Sequence, residues 1–220
     1  MIEAVLFDLD GTLIDTAPDM GGALINLMQE EGLEPLPIDA IRPYVSQGGL
    51  VLTRMGFDGK VPEAEIEPLR QRFLQHYHAI VADQSRLFDG YEAILVELEA
   101  SSTPWGIVTN KPEWLTQPLL EQLGLAQRAG VVIGGDTLEH RKPHPLPLQV
   151  AAERLRVDCG NCVYVGDDER DIVAARAAGM KSLVAAYGYI EDGVSIEAWN
   201  ADGLIDQPDD LLRHPLLANR

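Results

Sequence analysis

Cysteine is nearly missing from this chain. Its 220 residues include two, Cys159 and Cys162, both in the stretch CGNC. A Cys-x-x-Cys pair can be a redox couple or half of a zinc site, and His140 and His144 would complete a Cys2His2 set. Structural zinc sites have tighter, self-contained ligand pairs. The plainer reading is that Cys162 opens the apolar run CVYV and Cys159 lies in the turn before it. Positive charge is also scarce. Lysine and arginine number 17 against 35 acids, a formal net charge of −18. Such a chain repels nucleic acid and anionic membrane surfaces, so neither is an expected partner. An anionic substrate would need local help from a bound cation, a placed lysine or helix N-termini. Long apolar runs are missing too: none approaches the ~20 residues of a membrane span. No basic leader precedes the first strand-like run, so no signal peptide is read and a cytoplasmic protein is expected. Internal repeats and low-complexity linkers are absent. Monomer and homodimer are left equally open.

Apolar residues make up 46% of the chain, enough for one large domain or a domain carrying an inserted one. Short apolar runs recur: AVLF (4–7), WGIV (105–108), VVI (131–133), VYV (163–165), LVAA (183–186) and, as a sixth candidate, GLI (203–205). Runs this short and rich in Val and Ile fit strands buried on both faces. Helical patterns separate them: one N-capped by Thr116, with Pro118 in its first turn and Gly124 at its end; one over 145–156; one over 169–178, ending at Gly179. This alternation predicts an α/β fold, a doubly wound parallel sheet with a Rossmann-like core. Residues 16–87 break the pattern. They show no strand and read as helices near 18–31, 38–44, 48–55 and 63–83. In the last, Ile66, Leu69, Phe73, Tyr77, Ile80 and Val81 recur at helical spacing. The predicted organisation is therefore a core of 1–15 and 88–220 with a helical module of 16–87 inserted after the first strand.

Ligands of open parallel sheets bind beyond the carboxyl ends of the strands. The first strand runs into Asp8 and Asp10, in VLFDLDGTLIDT, and strand alternation would point both to one side. Two carboxylates so close repel each other and resist desolvation, so they need cationic company. The WGIV strand ends in Thr109, Asn110 and Lys111; Lys142 lies in RKPHP; VYV ends in GDDERD, with Asp167, Asp168 and Asp171. The set suits phosphoryl transfer from a monoester. Asp8 and Asp167 can hold Mg²⁺, which takes oxygen ligands. Asp8 can attack phosphorus, and Asp10 can protonate the leaving oxygen and then activate water. Thr109, Asn110 and Lys142 can bind the transferring oxygens, while Gly11 lets the backbone turn closely around the phosphate.

FDLDGTLIDT, VTNKP, RKPHP and VGDDERDI, in that order, resemble the four motifs of the haloacid dehalogenase superfamily across essentially the whole chain. The helical insert resembles that family's cap domain of the first type. The resemblance implies Asp8 as nucleophile, Asp10 as acid and base, and Mg²⁺ on Asp8, the Asp10 backbone carbonyl and Asp167. It also implies Thr109, Asn110 and Lys142 as phosphate binders. The acid at position 10, which true dehalogenases lack, implies phosphotransfer. WGIVTNKP, VGDDERDI and the tail YGYI…WNADGLID resemble the phosphoglycolate phosphatases. They look closer still to the branch that includes N-acetylmuramic acid 6-phosphate phosphatase, a cell-wall recycling enzyme. That sugar phosphate is the expected substrate, with phosphoglycolate as the alternative. A sugar-phosphate mutase would carry the same motifs. Response-regulator receivers also place Asp, Thr and Lys at strand ends, but their acceptor Asp is on the third strand, and they lack a DxDGT turn and a helical insert.

Ordinary roles account for some of these residues. Asp168 reads as a helix N-cap, with Asp171 three residues on completing a capping box. Asp171 is expected behind the ligands, holding Lys142 or a metal-bound water. Asp15 is expected to tie down the linker to the inserted module. Glu139, Arg141, His140 and His144 read as exposed loop residues. In RPYVSQGG (42–49), Ser46, Gln47, Gly48 and Gly49 are candidates to present donors to the leaving group, or merely to join two helices. Arg42 could meet a substrate carboxylate or form a surface ion pair.

Overall fold

Four apolar residues in a row build β1 (Ala4–Phe7), and all four are buried. The computed structural model describes residues 1–217. After β1 the chain passes through β2 (Ile14–Asp15) into α1 (Ala17–Glu30), α2 (Ile38–Ile41), a 3-10 turn over Arg42–Gln47, α3 (Gly49–Phe57) and α4 (Glu63–Ala79). β3 (Arg86–Leu87) then returns antiparallel to β2, with Ile14 opposite Leu87. The expectation of no strand within 16–87 therefore fails at its last two residues, because a two-residue strand is too short to show any alternation. The rest of the chain alternates: α5 (Tyr91–Ala100), β4 (Trp105–Val108), α6 (Glu113–Gln122), β5 (Val131–Ile133), α7 (Leu146–Leu155), β6 (Cys162–Gly166), α8 (Glu169–Ala178), β7 (Lys181–Ala185) and β8 (Gly203–Ile205).

Six strands form one parallel sheet in the order β5-β4-β1-β6-β7-β8. The fold is α/β and doubly wound. Alternate residues of β1 enter different cores: Val5 and Phe7 pack with Tyr91, Ile94 and Leu98 of α5, while Ala4 and Leu6 pack with Leu148 and Ala151 of α7 and Ala174 of α8. Helices thus cover both faces, as a parallel sheet requires. β1 lies between β4 and β6, where successive crossovers leave in opposite directions, and a crevice opens there at the carboxyl ends. No helix among the described residues is long and apolar enough to cross a membrane.

The inserted helices bury one apolar stripe each. Leu24, Leu27 and Met28 of α1, Leu52 and Phe57 of α3, and Phe73 and Tyr77 of α4 are all fully buried and share one core with the lower face of the sheet. α4 ends at Ala79, so Val81 is buried beyond the helix rather than on it. α6 starts earlier than predicted, at Glu113 after Pro112. Thr116 is inside it, donating to the Lys111 and Pro112 carbonyls instead of capping, and Pro118 sits in the helix interior. A Thr–x–Pro pair imitates a helix start, but Pro112 supplies one four residues sooner. Segment 42–49 is largely the 3-10 turn, not an open loop. It ends at Gly48, whose φ of +87° favours glycine.

Candidate active site

β1 stops at Phe7, so Asp8 and Asp10 stand in the turn beyond the strand and do not share a strand face. Different lysines hold them. Lys142 Nζ lies 2.8 Å from Asp8 Oδ1, and Lys111 Nζ lies 2.9 Å from Asp10 Oδ1. The Leu9 amide also donates to Asp8 Oδ1, at 2.7 Å, so Oδ2 has no protein donor among the described residues. Asp10 takes a second hydrogen bond from Thr16 Oγ1 at 2.6 Å, just where α1 begins. Burial of the pair is thus answered one carboxylate at a time.

Lys142 is the most enclosed cation of the site, its side chain having no exposure. It also contacts Asp171 Oδ1 at 2.7 Å and donates to Tyr164 Oη at 2.7 Å; Tyr164 in turn donates to the Val108 carbonyl at 2.6 Å. Burial alone would pull the ammonium pKa down, but the Asp171 and Asp8 carboxylates overcome it and hold it above the ordinary lysine value. The Asn110 amide donates to the Lys142 carbonyl at 2.9 Å, which ties the end of β4 to the lysine's loop. Asn110 Oδ1 is buried and unpartnered. Thr109 accepts from the Lys111 amide at 3.1 Å.

Asp8, Asp167 and Asp171 each offer an oxygen within 4.8 Å of the others. Asp167 follows β6 and is 1% exposed, so its negative charge is costly there. Burial, and then the Asp8 and Asp171 charges, push its carboxyl well above the usual range. Burial pushes Asp171 up to about 7, with Lys142 pulling it down and Asp8 pushing it up. Asp171 also completes a capping box at the start of α8: the Asp168 amide donates to it at 3.1 Å, and Asp168 accepts from the Arg170 amide at 2.9 Å. The Asp10 carboxylate stands outside this cluster. Its backbone carbonyl, however, lies 3.1 Å from Ser46 Oγ, which also donates to Asp167 Oδ2 at 2.7 Å. Thr12 Oγ1 donates to the other Asp167 oxygen at 2.9 Å.

A cavity of about 540 Å³ opens over these groups, between the sheet and the inserted helices. Asp8, Asp10, Thr109, Asn110 and Lys142 line it from the sheet side, and Ser46, Gln47 and Gly48 from the helical side. Gly11, Asp167 and Asp171 do not line it. Gly11 has φ +79°, and a Cβ there would run into the Asp167 carboxylate and within 2.8 Å of Ser46 Oγ. It allows close packing against the Asp167 carboxylate. The Gln47 amide is taken by Glu191. Arg42 pairs with Asp15 at 3.0 Å and lies over the Tyr189 ring, and it does not line this cavity. Asp15 also accepts from Tyr189 Oη at 2.7 Å. Arg141 is exposed, as expected, yet lines the cavity. His140 and His144 stack on each other, and Cys162 is buried at the start of β6, its thiol pushed up to about 12 chiefly by burial.

Three site residues escape a reading of the sequence. Lys111 had a signal, since a chain this acidic needs placed lysines, but VTNKP does not say that it turns inward. Tyr164 is hidden in an apolar strand run. Tyr189, whose amide donates to Asp167 Oδ2 at 3.0 Å, is 22 residues away from it with no local pattern between them.

An aspartate with one free oxygen, a second aspartate on its own lysine, and a buried lysine between carboxylates meet at the ends of β1, β4 and β6 of a doubly wound sheet. The haloacid dehalogenase-like hydrolase family matches residues 5–185, and the chain belongs to it, as a phosphatase. It is 51% identical over 208 residues to a phosphoglycolate phosphatase of Xanthomonas campestris, covering 94% of each chain. It is 38% identical over 211 residues to an N-acetylmuramic acid 6-phosphate phosphatase of Pseudomonas aeruginosa, covering 96% of this chain and 93% of the relative. Among solved structures, a predicted phosphoglycolate phosphatase from Haemophilus somnus superposes with a TM-score of 0.86 at 26% identity, covering 96% of this chain and 97% of that one.

Proposed function

We propose that the chain hydrolyses a small phosphate monoester through an aspartyl phosphate on Asp8, with Mg²⁺ as cofactor. The observation that carries this is the separation of the two carboxylates: Asp8 has one oxygen held by Lys142 and Leu9 and the other free, while Asp10 has its own partners, Lys111 and Thr16. Asp8 Oδ2 attacks phosphorus as the bond to the leaving oxygen breaks, and Asp10 gives that oxygen its proton. Asp10 then takes a proton from the water that attacks the phosphorus and releases Asp8. Thr109, Asn110 and Lys142 bind the transferring oxygens.

The oxygen-only donor set of the Asp8 and Asp167 carboxylates and the Asp10 carbonyl suits a hard dication. Three buried carboxylates answered by one lysine leave that corner short of positive charge. Mg²⁺ bound there would cancel carboxylate charge and polarise the phosphoryl oxygens. Asp171 positions Lys142 from behind. In this reading residues 1–15 and 88–220 are the catalytic core and 16–87 the cap that selects substrate, with Ser46, Gln47 and Gly48 on its inner face. The cavity is large for a two-carbon ester, which favours N-acetylmuramic acid 6-phosphate, in the cytoplasm, as a step of cell-wall recycling. The name of the 51% identical relative favours phosphoglycolate as the second reading.

Comparing kcat/KM on both esters decides between them. Asp8→Asn should abolish steady-state turnover with the fold intact; residual turnover would remove Asp8 as nucleophile. Asp10→Asn should accumulate phospho-Asp8, visible by mass spectrometry. EDTA should inhibit and Mg²⁺ restore. Formation of an isomer from a hexose 1-phosphate and a bisphosphate activator, without free phosphate, would make the chain a mutase instead.

A further inference from the structure

We infer that Arg70, on the cavity face of α4, reads a second acidic group of the substrate, a carboxylate at the end of the ligand away from the phosphoryl group being transferred. This rests on the phosphomonoester reading above and extends it to the substrate's far end. The chain has 35 acids and 17 bases, yet the cavity walls reverse that balance. Five cations line them, Lys111, Lys142, Arg70, Arg141 and Arg170, against two acids, Asp8 and Asp10. Each acid already has its own lysine, at 2.8 and 2.9 Å. Arg70, Arg141 and Arg170 have no partner among the acids that line the cavity, an arrangement that suits a ligand with more negative charge than one phosphoryl group.

The three arginines are not equivalent. Arg170 is committed to Asp168, which also caps α8. Arg141 immediately precedes Lys142, the cation on Asp8. Arg70 pairs with Glu67, at 2.7 Å, where the two side chains are 28% and 58% exposed. Such a surface pair is weak, so a ligand carboxylate can replace Glu67 at little cost.

The geometry of α4 supplies the spacing. Arg70, Leu74 and Tyr77 line the cavity at helical intervals of four and three residues. Tyr77 marks the chemical end: its ring centroid is 4.4 Å from Lys111 Nζ, the cation on Asp10. Its hydroxyl is buried and has no partner among the described residues. Seven residues at 1.5 Å each put Arg70 about 10 Å further out, and Glu67 draws the guanidinium away from Tyr77. Leu50, Val51 and Leu74 make the wall between apolar. A matching ligand is elongated, with phosphate at one end and carboxylate at the other. In N-acetylmuramic acid 6-phosphate the ether-linked carboxylate lies across the sugar ring from the phosphate, about 8 Å away by ordinary bond lengths. In phosphoglycolate the separation is about 4 Å, too short to span the two ends.

The test measures binding by calorimetry in an Asp8→Asn background, so that turnover is not required. The probes are N-acetylmuramic acid 6-phosphate and N-acetylglucosamine 6-phosphate, the same sugar phosphate without the acid. Arg70→Gln should weaken the acid sugar about tenfold to a hundredfold more than the acid-free one. Arg70→Lys should recover part of that difference, and Arg141→Gln should change both ligands alike. An equal effect of Arg70→Gln on the two ligands, a selective effect of Arg141→Gln in its place, or no measurable binding of either sugar phosphate overturns the inference. Wild-type turnover is followed separately: a chain that binds the acid sugar through Arg70 but hydrolyses no phosphate ester overturns the catalytic reading and not this one.

Discussion

At the scale of the residue, the site turns on giving each buried carboxylate a separate answer. Asp10 shows this most clearly, because its lysine comes from the end of a different strand, β4. Lys111 is 3% exposed in its side chain and sits between Asp10, the Met20 sulfur at 3.8 Å and the Tyr77 ring. Replacing it with methionine keeps the stem but strips Asp10 of its charge partner. Turnover of any accepted ester should then fall by about a hundredfold, the scale of general acid–base catalysis, with a smaller change in KM. Lys111→Arg should recover part of it. Steady-state kinetics check both, and an unchanged kcat in Lys111→Met would separate Asp10's chemistry from this contact.

At the scale of the element, the inserted helices are fastened at both ends of the insertion. At the start, Asp15 is held by Arg42 and Tyr189. At the end, Asp19 of α1, fully buried, accepts from the Gln84 and Ser85 amides at 3.0 and 2.7 Å and from Ser85 Oγ at 2.6 Å. The carboxylate serves backbone donors that neither helix nor sheet pairs. Asp19→Ala leaves them buried and empty, at a cost of about 3 kcal/mol. For a chain of this size that lowers Tm by about 6–12 °C, measurable by calorimetry. A shift within a degree of wild type would mean that water takes over the lost bonds.

At the scale of the whole molecule, an acidic protein keeps three carboxylates, Asp8, Asp167 and Asp171, together in one buried corner. Asp171 is raised to about 7 and Asp167 is raised well above its ordinary value, so both bind protons more tightly folded than unfolded. The Asp171 contribution to stability is therefore complete below about pH 4, the unfolded value, and is lost as pH rises to about 7, and the Asp167 contribution is lost in the same direction. Metal-stripped protein should lose Tm as pH rises from about 4 to about 7, and Mg²⁺ should raise Tm more at the higher pH, where its ligands are free of protons. A thermal-shift series in EDTA and in Mg²⁺ reads both effects. An equal Mg²⁺ gain at both pH values would mean that these carboxylates do not hold the ion.

The sequence by itself determined the six strands of the parallel sheet, the helical interruption after β1 and the positions of Asp8, Asp10, Thr109, Asn110, Lys142 and Asp167, because each rests on local spacing: short buried runs, capping residues and polar residues at strand ends. Only the tertiary structure decided which lysine serves which aspartate, that Gly11 packs against the Asp167 carboxylate, that Arg42 pairs with Asp15, and that Ser46 reaches Asp10 and Asp167. Those pairings join residues far apart in the chain, Ser46 and Asp167 among them at 121 positions. Local periodicity reports which face of an element is buried; it carries no information about what that face meets across the fold.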